Sequence, residues 1–91
     1  MIDVNKSLVS IYRSNRKDEM YLYVLKKEGF ARVPALLLEQ FGQPAHSMDL
    51  LLTEQKKLAR ADVKKVLADL QEKGFYLQMP PLKEQVLPLQ N

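Results

Sequence analysis

The segment from Ile11 to Val24, IYRSNRKDEMYLYV, constrains the fold more than any other part of the chain. Two short runs of β-branched and aromatic residues flank a polar, strongly charged stretch, which is the pattern of a β-hairpin. From Ser7 to Arg13, Val9 and Ile11 alternate with Leu8, Ser10 and Tyr12, the two-residue period of a strand. Ser14 to Asp18 contains no apolar residue and forms the turn. Met20 to Lys26 returns, sending Met20, Leu22 and Val24 to one face and Tyr21, Tyr23 and Leu25 to the other. Apolar residues on both faces predict a sheet covered on both sides.

A helix is predicted to begin near Val33, with Pro34 at the first helical position, where its missing N–H is no loss. Leu37, Leu38 and Phe41 supply its apolar face, Gly42 suits its end, and Pro44 prevents continuation. Ser47 to Thr53, with Leu50, Leu51 and Leu52 unbroken, reads as a buried strand. A helix stays open there, because leucine is no strong β-former. Ala61 to Lys73 is an amphipathic helix, since Val63, Val66, Leu67 and Leu70 repeat on one face. Asp62 suits the positive end of its dipole and Lys73 the negative end, and Gly74 stops it. Phe75 to Met79 is a last strand, ended by Pro80 and Pro81.

The predicted order is therefore β-β-α-β-α-β. It implies an α+β fold in which helices pack on a four-stranded, mostly antiparallel sheet with an N-terminal hairpin. Ninety-one residues leave no room for a second core. Residues 1–81 are expected to form the domain. Residues 82–91, with no clear period and a further proline, are expected to form a flexible tail.

With no cysteine, the chain has neither disulfides nor thiolate metal ligands, and its core must hold the fold alone. No apolar run approaches the roughly 20 residues of a membrane span. The N-terminus MIDVNKSLVS lacks the basic-then-apolar order of a signal peptide, so a cytoplasmic setting without a membrane partner is expected. A net charge of +3 permits nucleic-acid contact without arguing for it.

Catalytic chemistry finds little support. His46 is the single histidine, and nothing near it in sequence offers a nucleophile or partner, so an edge-strand surface position is expected. One histidine without cysteine argues against a metal site. Gly29, Gly42 and Gly74 lie too far apart for a phosphate-cradling loop, and no cofactor is expected. The carboxylate pairs Asp18–Glu19 and Asp69–Glu72 fall in the turn and on the outer helix face, where solvation explains them. No catalytic residue is assigned. A small enzyme with His46 as base ranks last, because it needs a pocket that so few elements rarely build.

The basic residues are more informative. Arg13, Arg16, Lys17, Lys26, Lys27 and Arg32 all belong to the hairpin and its exit. Tyr12, Tyr21 and Tyr23 are expected on one strand face if the register is symmetric about the turn. Two readings follow. In the first the tyrosines lie under a helix with their hydroxyls near solvent, and the hairpin is a docking surface for a protein partner. The alternative is binding of RNA or single-stranded DNA by stacking and phosphate contact, although the chain lacks an RNP-like strand. The candidate binding residues are Tyr12, Arg13, Arg16, Lys17, Tyr21, Tyr23 and Arg32. The Pro80–Pro81 pair could also support a polyproline segment for a partner, but more often it ends a strand.

IYRSNRKDEMYLYV, FARVPALLLEQFGQP, KLARADVKKVLADLQEKGFY and the ending LQMPP, in this order and spacing, resemble the YcgL family of small bacterial proteins. The match spans nearly all of Val9 to Pro81. The resemblance implies an α/β/α sandwich around a small sheet and a gammaproteobacterial, cytoplasmic setting. It carries no catalytic residue onto this chain.

Overall fold

A computed structural model describes residues 6–56, 58 and 61–80, so the flexible tail expected over residues 82–91 lies outside the described residues. The elements are β1 (Lys6–Arg13), β2 (Tyr21–Leu25), α1 (Ala35–Phe41), β3 (Ala45–Thr53), α2 (Val63–Glu72) and β4 (Phe75–Gln78). The strands form one sheet in the order β3-β1-β2-β4, and every neighbouring pair is antiparallel. Ile11 stands opposite Tyr23 in β2 and Met48 in β3, while Tyr23 stands opposite Tyr76 in β4.

The alternation expected of the hairpin separates two cores, one on each face of the sheet. On one face Val9, Ile11, Tyr23 and Leu52 pack against Val63, Val66, Leu67 and Leu70 of α2. On the other, Met20, Leu22 and Val24 pack against Val33 and Phe41, backed by Tyr12, Phe30, Leu37 and Leu38. The helices therefore lie on opposite faces, and the architecture is an α/β/α sandwich. Full burial of an aliphatic or phenylalanine side chain contributes about 1.5–3 kcal/mol, so these few residues supply most of the driving force.

Local chemistry sets the element ends. The Asp62 side chain accepts the Lys64 N–H at 3.0 Å and caps α2. Gly74, at φ +89°, turns the chain out of α2 and returns its N–H to Asp69 and Leu70. In α1 the first helical residue is Ala35, and Pro34 occupies the extended cap position just before it, one residue from its expected place.

The leucine run is a strand, as read from the sequence, but it is not buried. β3 is an edge strand in which Leu52 alone is fully enclosed, while Met48 and Leu51 are 51% and 52% exposed. The reason is its place outside β1. The α1-side core takes its side chains from β1, β2, β4 and the α1 region and none from β3. The pairing also slips within β3: Ile11 faces Met48 but Tyr12 faces His46, leaving Ser47 as the extra residue of a β-bulge.

Candidate functional site

The hairpin turn is organised by Ser14. Its buried hydroxyl donates to the Phe41 carbonyl at 2.6 Å and accepts the backbone N–H groups of Arg16 and Lys17 at 3.0 and 3.1 Å. One side chain thus shapes the turn and ties it to the end of α1. Asn15 reinforces this by accepting the Gln43 N–H at 2.9 Å, and its side-chain oxygen occupies the space beside Gly42 that a Cβ would need. Gly42, at φ +87°, fits where a side chain would not.

This frame holds Arg13, Arg16 and Lys17 exposed at one end of the sheet, and none of the three forms an ion pair among the described residues. Arg32 is placed elsewhere. Its guanidinium donates to the Glu72 carbonyl at 2.9 Å and the Gln71 carbonyl at 3.4 Å, with Glu28 at 3.7 Å. It closes the C-terminal end of α2, where a cation is favoured by the helix dipole. Its side chain crosses directly over Gly74, ahead of Phe75 and so at the far end of β2 from the hairpin turn.

The three tyrosines do not share a face. Tyr12 pairs with Leu22, and Tyr21 with Arg13, so the register puts Tyr12 on the α1 side and Tyr21 and Tyr23 on the α2 side. Residues whose numbers differ by an odd amount across this pairing always point to opposite faces. Tyr12 packs against Phe30 and His46 with ring centroids 4.7 and 5.4 Å away. Tyr23 is buried, sits edge-on to Tyr76, and donates its hydroxyl to Gln78 at 2.9 Å. Its burial pushes the phenol pKa upward, with Tyr76 and Tyr21 adding to the effect. Tyr21 is half-buried.

Tyr21 and Tyr23 instead line an open groove of about 390 Å³ on the α2 face of the sheet. Ile11, Leu50 and Leu58 contribute apolar surface to it, and Met48 adds a flexible thioether. Lys56 and Gln78 supply polar groups. Arg13, opposite Tyr21, stands on this same face at the hairpin end. Neither Met48 nor Lys56 was singled out in the sequence. Their place depends on β3 crossing beside β1, which no local pattern announces.

A second polar cluster lies on the α1 side. The Asp49 carboxylate accepts from Ser10 Oγ at 2.7 Å and His46 Nε2 at 2.8 Å through one oxygen, and from Lys26 Nζ at 2.8 Å through the other. A carboxylate can only accept here, so His46 Nε2 carries the proton. Residues three apart in a regular strand point to opposite faces; the bulge at Ser47 brings His46 and Asp49 together. Bonds from His46, Lys26 and Ser10 hold the Asp49 carboxyl well below the usual carboxylate range, and Asp49 in turn raises the Lys26 pKa. The Ser10 hydroxyl donates to this carboxylate, whose lowered pKa makes it a weak base, and not to the imidazole. The cluster cross-links β3, β1 and the end of β2. Among the described residues no group of three or more His, Cys, Asp or Glu side chains could hold a metal ion.

Among the same residues no helix is long and apolar enough to cross a membrane. A family model, the YcgL domain, matches residues 9–81. A YcgL domain-containing protein of Pseudomonas putida is 55% identical over 82 residues, covering 90% of this chain and 84% of the relative. One from Hahella chejuensis is 54% identical over 80 residues, covering 88% and 76%. Another, from Pseudomonas aeruginosa, is 54% identical over 82 residues, covering 90% and 84%. The chain therefore belongs to the YcgL domain family.

Proposed function

We propose that this protein is a non-enzymatic, cytoplasmic interaction module whose hairpin end docks a protein partner. The observation that carries the reading is the set of exposed cations Arg13, Arg16 and Lys17, unpaired among the described residues, at the same end of the sheet as the open groove. Apolar walls from Ile11, Met48 and Leu50, with Lys56 in the lining and Arg13 on the same face, suit a segment that combines apolar side chains with carboxylates. Arg32 belongs to the scaffold in this reading, because its guanidinium is engaged by α2.

The placement of the tyrosines favours a protein over RNA or single-stranded DNA. A stacking platform needs several aromatic faces open on one side of the sheet. Here Tyr12 is on the opposite side, and Tyr23 is buried with its hydroxyl bonded to Gln78. The test is an affinity capture from a bacterial extract using the unmodified chain and a variant carrying Arg13→Gln, Arg16→Gln and Lys17→Gln together. Partners held by the first and lost from the second are expected, and retention of every partner by the variant contradicts the hairpin as the docking end. An NMR titration with a mixed oligonucleotide at low salt separates the alternative. Shifts over residues 12–23 that vanish as salt rises would move the reading to nucleic acid.

A further inference from the structure

β3 is the longest strand of the sheet and its outer edge is unpaired among the described residues. Its backbone polarity follows from the hairpin. The Lys26 N–H donates to the Leu8 carbonyl at 2.9 Å and the Ser14 N–H to the Met20 carbonyl at 3.0 Å. Leu8, Ser10 and Tyr12 therefore direct their backbone groups toward β2, while Ser7, Val9 and Ile11 direct theirs toward β3. Their β3 partners are Leu52, Leu50 and Met48. The intervening residues Asp49, Leu51 and Thr53 consequently point their backbone groups away from the sheet. The Thr53 carbonyl is already used by the Lys56 N–H at 3.1 Å, but the Thr53 N–H and both backbone groups of Asp49 and Leu51 face outward.

We propose that this edge pairs antiparallel with the same edge of a second copy of the chain, about a two-fold axis at Leu51. In that register Leu51 faces Leu51 of the second copy and exchanges two backbone hydrogen bonds with it. Each Thr53 N–H reaches the Asp49 carbonyl of the other chain, giving two more. Three features of β3 select this register. An axis at Asp49 would set two carboxylates directly opposite, which is destabilising. An axis at Leu50 would place the bulged Ser47 opposite Thr53. An axis at Leu52 would run past the end of the strand. With the axis at Leu51, pairing uses the regular stretch from Asp49 to Thr53 and stops before the bulge.

The side chains agree with the backbone. Leu8 and Leu51 are adjacent on the α1 side, 50% and 52% exposed, and no helix among the described residues covers them. Two-fold pairing joins them to their counterparts as a continuous stripe of four leucines. On the α2 side Leu50 meets Leu52 of the second copy. Edge strands are commonly guarded by a charge that repels an incoming strand. In β3 that charge is Asp49, and Lys26, His46 and Ser10 of its own chain already engage it.

The chain contains no cysteine, so one introduced thiol reports pairing directly. Opposed residues in a hydrogen-bonded antiparallel pair have Cα atoms about 5.5 Å apart, inside the roughly 4.4–6.8 Å range of a disulfide. Leu8 and its counterpart would be three strand spacings apart, about 14 Å, which no disulfide spans. Leu51→Cys is expected to form a covalent dimer on mild oxidation at least about tenfold faster than the equally exposed Leu8→Cys. Sedimentation velocity of the unmodified chain is expected to show a monomer–dimer equilibrium as concentration rises toward millimolar. Equal oxidation rates for the two variants, or a monomer at every concentration, would overturn the proposal.

Discussion

The two ends of the sheet carry the same kind of residue and use it differently. At one end Arg32 lies over Gly74 and donates to the last carbonyls of α2, so its charge holds a helix in place. At the other end Ser14 and Asn15 build the turn with neutral hydrogen bonds, and Arg13, Arg16 and Lys17 stand exposed without ion pairs among the described residues. The positive residues thus divide into one cation engaged by α2 and three that form no ion pair among the described residues. The proposed docking end is the one whose charge forms no ion pair within the fold among the described residues.

Five variants probe that contrast. The largest effect is expected from Val66→Asp, which sets an unpaired charge among fully buried residues of the α2 core. A loss of several kcal/mol, much of a small domain's stability, should appear as a collapse of the thermal transition. Ser14→Ala comes next. It removes a buried hydroxyl with three hydrogen bonds and should cost about 1–3 kcal/mol in urea unfolding. Arg32→Ala should cost about 1 kcal/mol by the same measurement, through its half-exposed contacts with α2, and should leave partner capture intact.

Asp49→Asn acts through pH. A carboxyl whose pKa is depressed on folding adds stability that is present above its unfolded value of about 3.9 and is lost as pH falls below that toward the folded value. Acid unfolding of the unmodified chain, followed by circular dichroism, should therefore show stability falling as pH drops below about 3.9. The asparagine variant should show a shallower pH dependence over that range. The smallest effect on stability is expected from replacing Arg13, Arg16 and Lys17 together by glutamine, within about 0.5 kcal/mol, because exposed charges far from partners contribute little.

The hairpin and α2 were legible in the sequence because period and chemistry agree there. Val9, Ile11, Leu22 and Val24 alternate as a strand should, and Val63, Val66, Leu67 and Leu70 repeat as a helix should. Both patterns lead directly to the observed cores. The fate of the leucine run was not legible. Leu50, Leu51 and Leu52 look buried by composition, but exposure is decided by strand order, and β3 falls at the edge.

The candidate site was read in part for similar reasons. Arg13, Arg16 and Lys17 cluster because they are neighbours on one turn, which the sequence displays. Arg32 joins α2 from forty residues away, as its bond to Glu72 records. The meeting of His46 with Asp49 depends on one extra residue at Ser47, a bulge that no local pattern marks. Tyr12 separates from Tyr21 and Tyr23 because the paired register gives them opposite parity.

The central claim is that charge at the hairpin end serves a partner, whereas Arg32 serves the fold. Measuring melting temperature and partner capture on the same two variants tests it most directly. The triple glutamine variant should melt with the unmodified chain and lose its partners, whereas Arg32→Ala should melt earlier and keep them. Capture unchanged in the triple variant, or lost equally in both, would contradict the account.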